Sequence, residues 1–308
     1  MSLRFAVRRL YSTYNTGLPP ALTIPDLLRK YQQHVPITMI TAHDYITAKW
    51  AQDANIDIIL IGDSLNMTAL GQSSTTSLTM SQMQHHLKSV TNSEGSSLFI
   101  CDMPQGSYEV SMRDALDNAY KLIKSSPKVA SLKLECGPVE KDVHSHKVVE
   151  ALCSRGIPIM GHIGLTPQRA HAMGGFKVQS NTEKDAYQLL DTAKNLEKVG
   201  CWSLLLECVP ERIGEWLSNQ VSIPIIGIGA GRAVDGQVLV VSDALGMLPG
   251  DPPKFVQRYA QVGDLATRAL KEYAEDVRTR SFPQDQNVFK IKKDVWNALK
   301  NNDTHNSN

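Results

Sequence analysis

The sequence predicts a single (β/α)8 barrel, an α/β fold in which eight parallel strands each precede a helix. Two observations lead to this prediction. Eight short apolar runs recur from Pro36 onward, and most segments between them carry apolar residues three or four positions apart. Strands that alternate with helices pair in parallel through right-handed crossovers, and eight such units can close a barrel. A doubly wound open sheet is the lesser possibility.

The predicted strands are short runs rich in Ile, Leu and Val. They are Ile37–Thr41, Asp57–Gly62, Ser97–Asp102, Ala130–Glu135, Pro158–His162, Ser203–Glu207, Pro224–Ile228 and Val238–Ser242. The predicted helices are Tyr45–Ala54, Ser81–Asn92, Met112–Lys124, Lys141–Arg155, Glu183–Val199 and a last one at Pro253–Val277. The link between the seventh and eighth strands is short and rich in glycine, so we expect no regular helix there.

Length and composition fit one catalytic domain with two extensions. The chain has 308 residues, of which 42% are hydrophobic and 20% charged, and its net charge of +1 gives no field directed at nucleic acid. No apolar run approaches the ~18 residues that a membrane span requires. We predict a leader at 1–22, a barrel at 23–283 and an extension at 284–308 whose polar end is disordered.

The leader resembles a mitochondrial transit peptide. Arg4, Arg8 and Arg9 precede the first acidic residue, Asp26, and alternate with apolar and hydroxyl-bearing residues. We therefore expect a location in the mitochondrial matrix, and a cytoplasmic protein if this segment is only a basic terminus. The five cysteines form no CxxC pair, which predicts buried thiols rather than disulfides or a zinc site.

Ionisable side chains end five of the eight predicted strands, where a barrel places its active site. They are Asp63 with the adjacent Ser64, then Asp102, Lys133 and Glu135, His162, and Glu207. Apolar residues precede each of them, so these charges are not ordinary surface charges. A helix cap or a loop ion pair explains any one residue alone. Five strands that end in this way predict a shared polar site.

Several carboxylates that converge around one lysine require a counter-cation. Oxygen ligands favour a hard divalent ion, Mg²⁺ or similar, whereas a single histidine does not favour zinc. A bound ion beside an unliganded carboxylate suits removal of a proton next to a carbonyl group. The residues alone therefore predict an enzyme that forms an enolate from a 2-oxo acid.

Three further patterns carry weaker predictions. The run Gly227-Ile228-Gly229-Ala230-Gly231 lacks the spacing of a dinucleotide site and predicts a close approach of backbone to a ligand or the barrel wall. His144 and His146 are predicted on a solvated helix face. The segment Ile163–Thr182 with Gly174-Gly175 is predicted to be a mobile functional loop without regular structure.

Longer motifs resemble the ketopantoate hydroxymethyltransferase family over about Thr23–Pro283. They are Ile61-Gly62-Asp63-Ser64-Leu65, Gly161-His162-Ile163-Gly164-Leu165-Thr166-Pro167-Gln168, Gly174-Gly175-Phe176-Lys177-Val178-Gln179, Leu206-Glu207-Cys208-Val209-Pro210 and Ile226-Gly227-Ile228-Gly229-Ala230-Gly231. The resemblance implies a barrel of the phosphoenolpyruvate/pyruvate type. It also implies transfer of a hydroxymethyl group from 5,10-methylenetetrahydrofolate to 3-methyl-2-oxobutanoate, which gives 2-dehydropantoate for pantothenate synthesis.

The resemblance implies a role for most of the site residues. Asp63 and Asp102 would bind Mg²⁺, and Glu135 would complete the metal site directly or through water. Ser64 and Lys133 would bind the oxo acid, with Asp63 and Asp102 reaching it through the metal. Glu207 would be the base that removes the C3 proton. His162 would line the site without an assigned role. The family also implies a homo-oligomer, a decamer of two pentameric rings.

Some features leave alternatives open. A carbon–carbon lyase of the isocitrate-lyase type would carry a cysteine in a basic, glycine-rich loop that this sequence lacks. A Schiff-base aldolase through Lys133 is disfavoured because neighbouring carboxylates keep an ammonium protonated, and a non-catalytic scaffold would not need every site carboxylate. His43, Gln105 and Cys136 depart from the family's usual Tyr, Phe and Gly. The pterin could stack on Tyr45, Tyr108 or Phe176, or these rings could simply pack.

Overall fold

The computed structural model describes residues 21–303, and its eight strands form one closed parallel barrel in chain order. The strands are β1 Ile37–Thr41, β2 Ile58–Ile61, β3 Leu98–Asp102, β4 Val129–Glu135, β5 Ile159–Gly164, β6 Ser203–Glu207, β7 Ile225–Ile228 and β8 Gly236–Leu239. Closure follows from the parallel pairing of β8 with β1. The predicted (β/α)8 barrel is confirmed, and the open sheet is excluded.

Helices follow most of the strands. They are α1 Ile24–Gln32, α2 Tyr45–Asp53, α3 Leu65–Thr68, α4 Met80–Thr91, α5 Met112–Ser125, α6 Val143–Cys153, α7 Ala170–Met173, α8 Glu183–Lys198, α9 Glu211–Ser218, α10 Val241–Ala244, α11 Val262–Thr279 and α12 Lys293–Asp303. The predicted helices that correspond to α2, α4, α5, α6 and α8 are correct to within two residues at each end. No helix lies between β7 and β8, as predicted.

The predictions for the end of the barrel need correction. Strand β8 ends at Leu239 rather than Ser242, because the apolar run continues into α10, where the Val241 N–H donates to Thr41 Oγ1 at 3.0 Å. The last helix begins at Val262 rather than Pro253. The intervening segment is held outside any helix, and its Tyr259 N–H donates to Ala244 O at 2.7 Å.

Two other predictions are wrong in part. His146 is buried rather than solvated, because Nε2 lies 3.0 Å from Gly137 O and Nδ1 lies 2.7 Å from the side-chain nitrogen of Asn195 in α8. The segment Ile163–Thr182 is not without regular structure, since it contains a 3₁₀ turn and α7. All five cysteines are free, in agreement with the prediction of thiols.

The described residues divide into two compact units, 21–259 with the barrel and 260–303 with α11 and α12. Helix α11, which the sequence assigned to the end of the barrel domain, therefore lies in the second unit. Helix α12 reaches Asp303, so the polar end predicted to be disordered is helical up to that residue. The transit-peptide prediction concerns residues that lie almost entirely outside the described range. None of the described helices is both long and apolar enough to cross a membrane.

Two apolar layers explain why the strands are apolar on both faces. Alternate strand residues such as Ile58, Leu60 and Ile100 fill the barrel interior, while their neighbours Ile59 and Ile61 pack outward against the helices. At the amino-terminal end of the barrel, the fully buried Leu27 of α1 joins the interior layer. The apolar filling leaves the carboxyl ends of the strands as the place for polar side chains.

Candidate active site

The residues that the sequence predicted for the site all line one cavity of about 500 Å³ at the carboxyl ends of the strands. They are Asp63, Ser64, Asp102, Lys133, Glu135, His162 and Glu207. Strand register brings them together, because Asp102 pairs with Lys133, Glu135 with His162, and Gly164 with Glu207. Most of them are buried, so their charges interact through protein more than through water.

The turn after β2 places two acidic residues in contact. Asp63 lies two residues beyond the end of the strand, and its backbone N–H donates to Asp102 Oδ2 at 3.0 Å. A Cβ at Gly62 would lie 3.2 Å from Ser64 Oγ, which is a tight contact, and 3.7 Å from Asp102 Oδ2, which is an ordinary one. The chain then enters α3, which leaves Ser64 on the cavity wall. A backbone donor thus orients one carboxylate beside the other.

Lys133 is a buried ammonium between an acid and an imidazole. Its Nζ lies 3.0 Å from Asp102 Oδ1 and 3.1 Å from His162 Nδ1. Burial lowers the pKa of Lys133, but the carboxylates of Asp102, Asp63 and Glu135 raise it, and the net shift is upward. The ammonium therefore stays protonated, which makes it a poor nucleophile for a Schiff base.

The environment of His162 determines its tautomer. Burial and the charge of Lys133 lower the pKa of His162 well below its usual value, so the ring is neutral. An ammonium can only donate hydrogen bonds, so Nδ1 accepts from Lys133 and the ring proton resides on Nε2. That Nε2 lies 3.2 Å from Glu207 Oε2. The two groups are therefore in contact but without hydrogen-bond geometry.

Glu207 is held by its backbone and has a pKa near neutrality. Burial raises the pKa of Glu207 to about 7, and the charge of Lys133 opposes part of that shift. The Leu165 N–H donates to Glu207 O at 2.8 Å. Gly164 has a φ of +88°, and a Cβ there would lie 2.3 Å from the same oxygen. Only glycine fits this contact, and a carboxylate with this pKa can accept and return a proton.

Two further carboxylates of the site have raised pKa values, and one of them carries an unsatisfied oxygen. Burial raises the pKa of Asp102 to about 7 against the opposing charge of Lys133, and burial and Asp63 raise that of Glu135 well above its usual value. Glu135 Oε1 is buried and has no hydrogen-bond partner among the described residues, whereas Asp102 Oδ1 faces the Lys133 ammonium at 3.0 Å. Buried polar atoms without partners are rare, and carboxylate oxygens of this kind fit a bound cation.

These oxygens do not form a complete protein cage. Within residues 21–303, no three Cys, His, Asp or Glu side chains are grouped closely enough to hold a metal ion by themselves. Mg²⁺ usually keeps several waters and binds through one or two carboxylates together with its substrate. Asp63 and Asp102, with Glu135 nearby, fit that partial type of site.

Gln168 and Tyr108 belong to the hydrogen-bond network of the site, a connection that the sequence analysis missed. Gln168 is buried, and its Nε2 donates to Asp63 Oδ2 at 2.9 Å. Tyr108 is fully buried and donates to Gln168 Oε1 at 2.7 Å, so it does not line the cavity as a stacking surface. Gln168 was visible only as the last residue of a motif. Tyr45 likewise does not line the cavity.

Two phenylalanines and two lysines form part of the cavity wall. They are Phe176, Lys177, Lys254 and Phe255. Phe255 packs on the backbone of Gly229, which has a φ of +64° and would place a Cβ 2.9 Å from Cδ1 of the ring. The close approach predicted at the Gly229 motif is thus made to this ring. None of His43, Gln105 and Cys136, the departures from the usual family pattern, lines the cavity.

The raised pKa of Glu207 predicts that this carboxylate destabilises the folded chain at high pH. Replacing Glu207 with an uncharged residue should remove that effect. Because the pKa rises from 4.5 to about 7 on folding, the folded chain binds more protons across that range, and its unfolding free energy falls as pH increases. The full shift corresponds to about 3 kcal/mol above the folded pKa. Without added metal, Glu207→Gln should therefore unfold at a higher temperature than wild type at pH 8. The two proteins should match near pH 4.5, and equal melting temperatures at both pH values would contradict this prediction.

Comparison with known proteins identifies the family. A family model described as ketopantoate hydroxymethyltransferase matches residues 21–285. A 3-methyl-2-oxobutanoate hydroxymethyltransferase of Saccharomyces cerevisiae is 47% identical over 279 residues, which cover 90% of this chain and 89% of the relative. A protein of the same name from Bacillus licheniformis is 43% identical over 277 residues, which cover 90% and 98% of the two chains.

A solved structure is similar in fold alone. It is a phosphonopyruvate hydrolase in complex with oxalate and Mg²⁺, with a TM-score of 0.56 and 11% identity over 93% of this chain and 98% of that one. The family model and both named relatives agree with the resemblance drawn from the motifs. The chain therefore belongs to the ketopantoate hydroxymethyltransferase family.

Proposed function

We propose that this chain catalyses the reaction for which its family is named, as a step of pantothenate synthesis. A hydroxymethyl group passes from 5,10-methylenetetrahydrofolate to 3-methyl-2-oxobutanoate, which yields 2-dehydropantoate. One observation carries the proposal beyond family membership. Glu207, with a pKa of about 7, faces the same cavity as a protonated Lys133 and a pair of aspartates that fit a cation. Those groups match the needs of enolate formation.

A divalent cation, Mg²⁺ or similar, is part of the proposal. Asp63 and Asp102 would hold it, and Glu135 would bind it directly or through water. The unpartnered Glu135 Oε1 supports this assignment. When bound, the ion would polarise the carboxylate and keto oxygens of the oxo acid.

Lys133 and Ser64 suit the binding of the oxo acid. The substrate carries a carboxylate, and enolisation adds negative charge on the keto oxygen. The Lys133 ammonium offsets both charges in a site that is shielded from water, where such a charge has a large effect. Ser64 lies on the same wall and offers a hydroxyl donor to the carboxylate.

Glu207 would remove the C3 proton. The electrons of the C3–H bond form the C2–C3 double bond of the enolate while the proton moves to the Glu207 carboxylate. The neutral ring of His162 borders this carboxylate, with Nε2 at 3.2 Å from Glu207 Oε2 but without hydrogen-bond geometry. C3 then forms the new bond to the methylene carbon of the folate as one of its two carbon–nitrogen bonds breaks. Water displaces the second nitrogen and supplies the hydroxyl group of the product. Tetrahydrofolate leaves with one proton from C3 and one from water on its two nitrogens.

Loss of the base should separate proton removal from binding. In D₂O with Mg²⁺, wild-type protein should exchange the C3 proton of 3-methyl-2-oxobutanoate and, once methylenetetrahydrofolate is added, form 2-dehydropantoate, both followed by proton NMR. Glu207→Gln should slow the exchange by about 10²–10⁴-fold and retain cation binding. Asp102→Asn should weaken both.

Each outcome of this experiment has a distinct meaning. Near-normal exchange by Glu207→Gln would show that another group is the base. Exchange by wild type without product would retain the enolate chemistry and reject the folate donor. No exchange in the presence of Mg²⁺ would overturn the proposed function.

The folate would occupy the part of the cavity that the small oxo acid leaves free. The methylene carbon must reach C3, so the co-substrate has to enter the same cavity, whose wall includes Phe176 and Phe255. Aromatic faces suit a flat pterin, and Lys177 and Lys254 beside them suit the carboxylates of the folate tail.

Replacing either ring should affect only the folate. Phe176→Ala and Phe255→Ala should each raise the KM for methylenetetrahydrofolate by about tenfold, as expected for a lost stacking contact. C3 exchange, which needs no folate, should stay unchanged. Tyr120→Ala removes a similarly exposed ring outside the cavity and serves as the control. An unchanged KM in both variants would reject this wall as the folate site.

Self-association and location are proposed on narrower grounds. In the first unit, an apolar groove over β1 and β8 is lined by residues that include Ile40, Trp50, Leu239 and Leu245, which suits contact with another copy. Light scattering should give the mass of an oligomer, a decamer by family resemblance, and a single-chain mass would contradict this.

A fluorescent fusion of the full chain should localise to mitochondria, and a cytoplasmic signal would reject the transit peptide.

A further inference from the structure

We propose that Gln168 is a positioning residue that aims the Asp63 carboxylate at the cation, and that Tyr108 holds Gln168 in place. This inference rests on the proposed function, since it assigns a role in the cation site described above. It adds residues that act on the site without contacting the substrate. The geometry around one buried amide carries it.

The side chain of Gln168 uses both ends of its amide. Nε2 donates to Asp63 Oδ2 at 2.9 Å and to the Met103 carbonyl oxygen at 3.0 Å. Oε1 accepts from the Tyr108 hydroxyl at 2.7 Å. Only 3% of Gln168 is exposed and Tyr108 is fully buried, so water cannot replace these bonds without opening the structure.

Chemistry alone fixes which end of the amide faces the aspartate. Asp63 Oδ2 and Met103 O are both acceptors, so the group between them has to be the NH₂ of Gln168. The opposite end is then the amide oxygen, which needs a donor, and the Tyr108 hydroxyl provides it. An inverted amide would put three oxygens together. Tyr108 therefore helps to fix the orientation that serves Asp63.

The same residue also reaches the second carboxylate. The backbone N–H of Gln168 donates to Glu135 Oε2 at 3.0 Å, while Glu135 Oε1 is unpartnered. At Asp63, the amide occupies Oδ2 and leaves Oδ1 for a cation. Gln168 thus engages one oxygen on each carboxylate and leaves the other for the cation.

The proposed role of Gln168 depends on its side chain being uncharged. Asp102 already faces the ammonium of Lys133 at 3.0 Å, which offsets much of its charge. A second cationic partner at Asp63 would compete directly with a metal ion. An amide restrains the carboxylate through a hydrogen bond and leaves its full negative charge to attract the cation.

Direct cation binding tests this role without relying on turnover. Gln168→Met keeps the volume of the side chain and removes the amide. Its affinity for Mn²⁺, measured by electron paramagnetic resonance on the full-length protein, should fall by about 10–100-fold, as for other residues that orient metal ligands. Tyr108→Phe removes only the hydroxyl and should weaken binding in the same direction but less. C3 exchange by Gln168→Met should need more Mg²⁺ and approach the wild-type rate when Mg²⁺ is saturating.

A matched control separates positioning from general destabilisation. Gln52 is a buried glutamine in α2, outside the cavity, whose Oε1 accepts from the Ser97 N–H at 2.9 Å. Gln52→Met should lower the melting temperature and leave Mn²⁺ affinity unchanged. If Gln168→Met does not fold, Tyr108→Phe decides the question through its own Mn²⁺ affinity.

A Gln168→Met variant that binds Mn²⁺ as tightly as wild type would overturn the inference. Where that variant does not fold, wild-type Mn²⁺ affinity in Tyr108→Phe would overturn it. A loss of melting temperature alone would then assign these residues to packing. That result leaves the proposed function intact, because wild-type protein would still bind Mn²⁺ and exchange the C3 proton. Wild-type protein that binds no Mn²⁺ would overturn both.

Discussion

The buried ammonium of Lys133 is the charge on which the rest of the site depends. It is the only lysine or arginine that is buried among residues 21–300. Burial alone would drive every nearby acid toward its neutral form, and the charge of Lys133 moderates that effect at Asp102 and Glu207. The same charge helps to keep His162 neutral. One ammonium therefore favours the charged form of the neighbouring acids and the neutral form of the neighbouring histidine.

The barrel makes this arrangement possible through register and glycine. Parallel pairing aligns Asp102 with Lys133 and Glu135 with His162, so acidic and basic side chains from adjacent strands lie at the same height in the barrel. Glu207 joins them only because Gly164 lets β5 approach its carbonyl oxygen. The apolar filling below excludes water from beneath the site, which strengthens each electrostatic interaction.

Much of this was predictable because both the fold and the site follow from short-range patterns. Apolar runs identify the strands, and the residues that end them identify the cavity. Contacts between distant loops are not encoded in that way. Gln168 approaches Asp63 across 105 positions of sequence, and Phe255 was assigned to a helix although it packs on Gly229. The burial of His146 likewise depends on α8, which local sequence around α6 does not reveal.

Three carboxylates of the site each have a different kind of neighbour, and the neighbour determines the use of the carboxylate. Asp102 faces an ammonium, which opposes the rise in its pKa that burial causes. Asp63 faces a neutral amide, which orients it and preserves its charge. Glu207 lies beside the neutral imidazole of His162, which does not suppress its basicity as a full positive charge would. An ammonium at Glu207 would make it a weaker base, and a second ammonium at Asp63 would compete with the cation. The division among ammonium, amide and imidazole therefore separates cation binding from proton transfer within one cavity.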